Sequence, residues 1–333
     1  MYYIIMNPAS KSGRGIRIWE KIEPVLKKRQ IPYQFMISTH NGHVAELVRD
    51  ITKNDACVDF IILGGDGTIN EALQGIRDFS KVRIGYIPTG SSNDLARDMR
   101  LDKDPLKILD TILSDRVIRK ADIGVLTYGS CIRRGENPAD SATDRRTVEN
   151  DLSGRFPADT SRYFIVSSGI GFDAAVCEEA LSSRVKDILN KLKLGKLTYL
   201  GIALKQLITA KAVSCELRLD DQAPIRVKRF LFIASMIRQF EGGGFRFCPQ
   251  ADSQDGLLDL CFVGNLAKPV ILFALPTAFF GKHYLFPHIS HYRAHKVEIK
   301  TSIPLWVHTD GEVYFKADHI YLSCEKQQLT FLV

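Results

Sequence analysis

No stretch of this 333-residue sequence is apolar for long enough to cross a bilayer as a helix. The longest uncharged apolar run, Pro269 to Gly281, is broken by Pro276 and falls well short of the roughly 20 residues that a spanning helix needs. Membrane contact is therefore expected to be peripheral. Met1 to Ser10 lacks a basic region followed by an apolar run and reads as a strand entering a loop, not as a signal peptide. Cysteine is sparse: Cys57, Cys131, Cys177, Cys215, Cys248, Cys261 and Cys324 are odd in number and form no Cys-x-x-Cys pair. That excludes a disulfide scaffold and predicts reduced thiols in a cytoplasmic protein. With 24 Gly and 13 Pro the chain is too poor in both for a fibrous or low-complexity protein. It also has neither a Gly-x-x-x-x-Gly-Lys-Ser/Thr loop nor the His-Arg-Asp and Asp-Phe-Gly pair of protein kinases.

What is present suits two globular domains: 45% hydrophobic and 25% charged residues over a length that exceeds one ordinary core. The 45 basic residues outnumber the 38 acidic ones by 7, which favours an anionic partner such as nucleotide, nucleic acid or acidic membrane. Early in the chain, short apolar runs at Tyr2–Met6, Tyr33–Ile37, Phe60–Leu63 and Arg83–Ile87 alternate with amphipathic ones at Gly15–Arg29, His43–Thr52, Ile69–Ile76 and Asn93–Met99. This pattern predicts an α/β domain over residues 1–120, with a parallel sheet covered on both faces and a ligand at the carboxyl ends of its strands.

After the expected helix Pro105–Ser114 and strand Val117–Gly124, residues 128–162 are dense in charge and lack apolar period, which predicts a solvated insertion. Strands then dominate a β-rich domain over 121–310: Tyr163–Ser167, Cys215–Leu219, Phe230–Met236, Leu257–Val263, Val297–Ile299 and Leu305–Thr309, followed by Ile320–Ser323 and Leu329–Leu332. Arg184–Lys211 reads as basic amphipathic helices broken near Gly195, covering a sheet or, as the second reading, docking on a membrane surface.

The most informative segment is FIILGGDGTINE, Phe60 to Glu71: a buried strand runs into Gly64, Gly65, Asp66, Gly67 and Thr68 and then into a helix. Glycines there permit positive φ and close approach of backbone amides to phosphate, the helix offers free N–H groups, and Thr68 adds a hydroxyl. Asp66 would repel phosphate unless it reaches a magnesium ion, so it points to nucleotide with metal; the alternative is a tight turn in which it caps the helix. PTGSSND, Pro88 to Asp94, also follows a strand; Ser91 or Ser92 can donate to phosphate, while Asn93 and Asp94 can cap a helix or hold the neighbouring loop. NPASKSGRG, Asn7 to Gly15, adds small residues with Lys11 and Arg14. Three such loops on strand ends predict a polyphosphate site.

Gly169, Gly171 and Ala174 form a Gly-x-Gly-x-x-Ala run with no acidic partner on a following strand, and read as a packing turn. In HTDGE, Asp310 and Glu312 set two carboxylates on a Gly-containing turn, where one could take a proton from a hydroxyl. DSQDGLLD, Asp252 to Asp259, is an oxygen-rich loop for a hard cation without EF-hand spacing. A plain hairpin turn is the alternative for both. His288, His291 and His295 lack an accompanying Glu and follow Pro287, which disfavours zinc. Phe279, Phe280, Tyr284 and Phe286 fit a core or lipid pocket better than base stacking, so nucleic acid is not an expected partner.

Taken in order and spacing, these segments resemble the soluble bacterial diacylglycerol kinases and related lipid kinases, whose catalytic domain is shared with sphingosine and ceramide kinases. The resemblance runs through NPASKSGRG, Thr39, GGDGTINE, PTGSSNDLAR, SGIGFDA, GGGFRFCPQADSQDGLLDL, GKHYLFPHISHYRA and HTDGE. GGDGT alone is shared with NAD kinases. The resemblance implies a two-domain, NAD-kinase-like fold in which residues 311–333 pack back between the domains. It implies an ATP-dependent lipid kinase acting on a membrane lipid hydroxyl, first diacylglycerol, then phosphatidylglycerol or a sphingoid base. An NAD kinase and a catalytically silent lipid-binding protein are the readings behind it.

By position, ATP would be held by Asn7, Pro8, Ala9, Ser10, Lys11, Thr39, Gly64, Gly65, Asp66, Gly67, Thr68, Asn70, Glu71, Gly90, Ser91, Asn93 and Asp94. Glu312 would be the general base supported by Asp310, Asp66 would help place a catalytic Mg2+, and Asp252, Asp255 and the Leu257 carbonyl would hold a structural Mg2+. The expected location is cytoplasmic, peripheral at an anionic membrane, with a homodimer left open. Two features depart from the family: Lys11 stands where many relatives have Gly, and the 128–162 insertion is longer and more charged than the connection expected there.

Overall fold

The computed structural model describes residues 1–8, 13–54, 56–114, 118–133, 161–182, 202, 205–207, 209 and 213–333. Its first half contains β1 (Tyr2–Met6), α1 (Arg14–Lys28), β2 (Tyr33–Ile37), α2 (His43–Ile51), β3 (Val58–Gly64), α3 (Asp66–Gly75), β4 (Val82–Pro88), α4 (Asp94–Asp98) and α5 (Pro105–Ser114). The four strands are parallel in the order β2-β1-β3-β4. β3 reads VDFIILG with no polar alternation because both its faces are covered. Phe60 and Ile62 pack with Ile5, Ile84 and Tyr86 beneath α2 and α3, while Ile61 and Leu63 pack with Ile4 and Met6 beneath α1 and α5. The strand order reverses between β1 and β3, so the loops leaving β1, β3 and β4 open onto a crevice at the carboxyl edge.

The second half contains β5 (Ile118–Arg133), β6 (Ser161–Phe164), β7 (Ser167–Gly171), α6 (Phe172–Ser182), β8 (Val213–Leu219), β9 (Ile225–Met236), β10 (Leu258–Gly264), α7 (Lys268–Thr277), β11 (Ile289–Ala294), β12 (Lys296–Thr309) and β13 (Glu312–Leu332). Its strands pair antiparallel around a second core that includes Leu217, Ile233, Leu260 and Ile299. β13 joins the halves. It runs antiparallel to β12 and β5, and its end, Thr330–Leu332, lies parallel to Arg83–Gly85 of β4.

Several elements differ from their sequence expectation for identifiable reasons. The strand expected at Val117–Gly124 continues to Arg133, so the charged segment begins as β5. The pairs of strands expected at 297–299 and 305–309, and at 320–323 and 329–332, are single strands β12 and β13. Register shifts after Lys300 and Glu325 break the apolar period there without ending the strand. The strand expected at Tyr163–Ser167 divides between β6 and β7, and α6 begins inside the Gly-x-Gly-x-x-Ala run. α7 escaped detection because it is apolar all round and so lacks the period of a surface helix. Residues 134–160 and most of the expected basic helices at Arg184–Lys211 lie outside the described residues.

Candidate active site

The loops after β1, β3 and β4, the start of α3, the β12–β13 turn and part of α6 enclose a cavity of about 550 Å3. Glycine draws two of the loops together. A Cβ on Gly90 would lie 2.6 Å from the Gly65 Cα, so the β3 and β4 loops touch backbone to backbone. The Thr89 N–H donates to the Gly64 carbonyl at 2.7 Å beside that contact. Positive φ, expected of Gly64, Gly65 and Gly67, is absent from all three; they serve close approach instead. The left-handed residue is Asn93, at φ 50°, whose side chain donates to the Gly90 carbonyl at 2.9 Å. Asn7 ties the first loop to the second by donating to the Thr68 hydroxyl at 3.3 Å.

Asp66 accepts N–H bonds from Asp94 at 2.8 Å and Leu95 at 3.3 Å, so it caps the neighbouring α4, not its own helix. Burial pushes its carboxyl up to about 6 against the pull of the Leu95 amide, and the nearby Asp310 charge adds to the rise. Asp94 pairs with Arg97 and accepts the Gly243 N–H at 2.7 Å, fastening the second half of the chain to α4. Arg238 and Asp98, 2.9 Å apart, make a second such clamp.

Asp310 sits at φ 50° in the β12–β13 turn with its carboxylate fully engaged. It accepts from the amides of Val166 at 2.8 Å, Ser167 at 3.0 Å and Ile165 at 3.0 Å, and from Asn70 Nδ2 at 2.8 Å. Burial raises its pKa while those amides and Asn70 pull it down. Such a group orients a turn better than it accepts a proton. Two residues on, Glu312 projects to the first turn of α3, where a Cβ on Gly67 would lie 2.8 Å from Glu312 Oε1. Glu312 thus reaches the Gly65–Thr68 loop only because residue 67 has no side chain.

Six carboxylate residues line the cavity: Asp66, Glu71, Asp94, Glu241, Asp310 and Glu312; no Lys or Arg does among the described residues. Behind them lies a cluster that the sequence did not reveal. His308 Nε2 is 3.3 Å from Asp173 Oδ2 and 3.2 Å from Glu241 Oε1, and all three residues are buried. The Gly311 N–H donates to His308 Nδ1 at 3.2 Å, so the ring's own proton is on Nε2, facing the two carboxylates. The three side chains lie close enough to hold a cation, but that tautomer offers no lone pair at Nε2 for one. Burial pushes the Asp173 carboxyl up. No local motif could have announced this cluster, since α6, the 241–245 turn and β12 each supply one residue.

Of the expected ATP residues, Asn7, Gly65, Asp66, Gly67, Thr68, Asn70, Glu71, Gly90, Ser91, Asn93 and Asp94 line the cavity, whereas Pro8, Thr39 and Gly64 do not. Thr39 is exposed and bonded to His43 Nδ1; Asn41, two residues on, lines the cavity. Ala9, Ser10 and Lys11 lie outside the described residues. The sequence did not single out Val166, Ser167, Glu241, Gly242 or Tyr314, nor the apolar wall of Cys177, Ala180 and Leu181.

Asp252, Asp255 and Leu257 sit apart from that lining. Asp252 accepts the Gln254 N–H at 3.1 Å, while Asp255 accepts the Leu257 N–H at 2.9 Å and pairs with Arg293. The loop is tied down by the buried Asp122, which accepts the N–H groups of Gly256 at 2.6 Å and Gln327 at 2.7 Å.

A parallel sheet that gathers glycine-rich loops at its strand ends, closed by a β-rich half that delivers acidic residues to the same cavity, defines a two-domain kinase fold of the diacylglycerol kinase and NAD kinase type. Residues 1–126 match the diacylglycerol kinase catalytic domain and residues 166–331 the YegS C-terminal NAD kinase β-sandwich-like domain. The chain belongs to the diacylglycerol kinase family and is a kinase. It is 24% identical over 316 residues to YtlR, a candidate lipid kinase of Bacillus subtilis, covering 94% of this chain and 93% of that one. It is 28% identical over 318 residues to the diacylglycerol kinase of Bacillus subtilis, covering 93% and 88% respectively. A crystal structure of a candidate diacylglycerol kinase from Bacillus anthracis superposes with a TM-score of 0.71 at 18% identity, over 99% of this chain and 94% of that one. Among the described residues no helix is long and apolar enough to cross a membrane.

Proposed function

We propose that this kinase transfers the γ-phosphoryl group of ATP to the hydroxyl of a membrane lipid, diacylglycerol first, with Glu312 as general base. The observation that carries this reading is the placing of Glu312 against Gly67, at the mouth of the phosphate-binding loops, by a turn whose Asp310 is saturated with hydrogen bonds. Glu312 takes the acceptor proton as the lipid oxygen forms its bond to the γ-phosphorus, and the bond from phosphorus to the ADP oxygen breaks in line. The start of α3 and the hydroxyls of Thr68, Ser91 and Ser92 face the phosphates. Cys177, Ala180 and Leu181 supply an apolar wall suited to the glycerol end of a lipid. Relatives named diacylglycerol kinase support the choice of acceptor.

A cavity lined by six carboxylate residues and no Lys or Arg among the described residues would repel a bare triphosphate, so the donor set fits a hard divalent cation such as Mg2+. Asp66 and Asp94 would hold it. When bound, the ion would supply positive charge that offsets that of the phosphates. With its pKa near 6, Asp66 is ionised at neutral pH and available for that role.

The test is transfer of label from γ-labelled ATP into lipid alcohols in mixed micelles, with NAD as a parallel acceptor. Labelled phosphatidic acid is expected, falling by roughly 10²–10⁴-fold in Glu312→Gln while ATP binding is kept. Transfer to NAD alone, or none to any lipid with ATP still bound, would sink the reading.

A further inference from the structure

Among the described residues, an unusual surface lies outside the cavity. α7 buries Ile271 and Ala274, yet its opposite face, turned to solvent, carries Leu272 and Phe273. The 3₁₀ turns that follow add Phe279, Phe280 and Leu285, and Phe273, Phe280 and Leu285 are 70%, 75% and 82% exposed. A helix on a water-facing surface is polar on its outer side; this one continues apolar right round.

The ridge is rigidly backed. Phe279 stacks on Phe245 with ring centroids 3.9 Å apart, and the Arg246 N–H donates to the Ala278 carbonyl at 2.9 Å. Phe245 also pairs with Glu241, and Glu241 and Gly242 line the cavity, so the ridge is built onto a wall of the active site.

Charge identifies the occupant. No Asp or Glu occurs between Asp259 and Glu298, while Lys268 and Lys282 flank the aromatic residues. Against a second copy of the chain in a two-fold contact, the two ridges would bring basic flank to basic flank. Against an anionic lipid surface they would meet phosphate headgroups as the aromatic side chains enter the acyl boundary. We propose that the ridge of Leu272, Phe273, Phe279, Phe280 and Leu285 inserts into the surface of an anionic bilayer and so sets the cavity beside its acceptor, an inference that rests on the lipid kinase reading above.

The test uses the full chain and a Phe273→Ser, Phe280→Ser, Leu285→Ser variant, sedimented with vesicles of phosphatidylcholine alone or mixed with phosphatidylglycerol. In parallel, ATP binding and transfer to a water-dispersible short-chain diacylglycerol are measured. The wild type is expected to partition onto the mixed vesicles, and the variant at least tenfold less, with ATP binding and short-chain transfer kept. Lys268→Glu with Lys282→Glu, all apolar residues retained, should also weaken partition to the anionic vesicles. Equal partition of wild type and triple variant, or no partition of the wild type, overturns the proposal. So does a wild type that self-associates without binding vesicles and becomes monomeric in the triple variant. Ridge-dependent vesicle binding with no transfer to any acceptor would leave the docking surface standing and sink the kinase reading alone.

Discussion

A methyl group on Gly67 would press against the carboxylate of Glu312 at 2.8 Å, and the neighbour that must yield is the tip of a flexible side chain. Gly67→Ala should therefore leave the fold intact. Alanine is favoured over glycine within a helix by about 0.5–1 kcal/mol, and residue 67 lies in the first turn of α3, so the melting temperature should hold or rise slightly. On the proposed function the cost falls on catalysis, because Glu312 must swing off the Gly65–Thr68 loop. We expect kcat to fall at least tenfold while ATP affinity changes little; a variant with unchanged kcat would show that Glu312 does not work from this position. The same residues show how far a sequence can be read locally. GGDGT following an apolar strand announces a phosphate loop, but nothing in it says that Gly65 touches Gly90, that Asp66 caps α4, or that Gly67 makes room for a side chain from the far end of the chain.

At the scale of elements, the 3₁₀ turn His283–Leu285 is pinned by a buried imidazole. His283 Nε2 donates to the Phe247 carbonyl at 3.0 Å, and Nδ1 has no hydrogen-bond partner, so a second proton would be buried unpaired. Burial lowers its pKa from 6.5 to about 4. Above pH 6.5 the ring is neutral whether the chain is folded or not. As the pH falls from there towards 4 the unfolded chain takes up a proton that the folded one refuses, and stability is lost. The loss between pH 7 and pH 5 should be about 2 kcal/mol. His283→Gln, which keeps a donor for Phe247 but does not titrate, should flatten that slope in urea unfolding at the two pH values; parallel slopes would contradict the assignment. The strands and helices flanking the glycine-rich loops were legible because each carries its own period of apolar residues. α7 was not, since a helix apolar on every side has no period to read. The Asp173, Glu241 and His308 cluster was not legible either, because it exists only after three distant elements have packed.

At the scale of the whole molecule, β13 does two jobs that its sequence could suggest only as separate short strands. Its first residue, Glu312, stands at the cavity, and its end lies as an interior strand of the first sheet. There Phe331 packs into the core cluster on one face with Ile84 and Ile123, and Leu332 joins the cluster on the other. Pairing of Thr330–Leu332 with β4 therefore links the folding of both halves and holds Glu312 in register with α3. Phe331→Ala should cost about 3–5 kcal/mol, as truncation of a buried Phe does. Most of that loss falls on the joint between the halves. Calorimetry should then show the single unfolding transition dividing into two, with kcat reduced although no residue of the cavity has changed. Leu217→Ala, which opens a comparable hole in the second core away from β4, serves as the control. It should lower the transition without dividing it. If Phe331→Ala merely shifted one undivided transition by the same amount, β13 would be an ordinary core strand and the coupling of site to fold would have to be sought in the Asp98–Arg238 clamp.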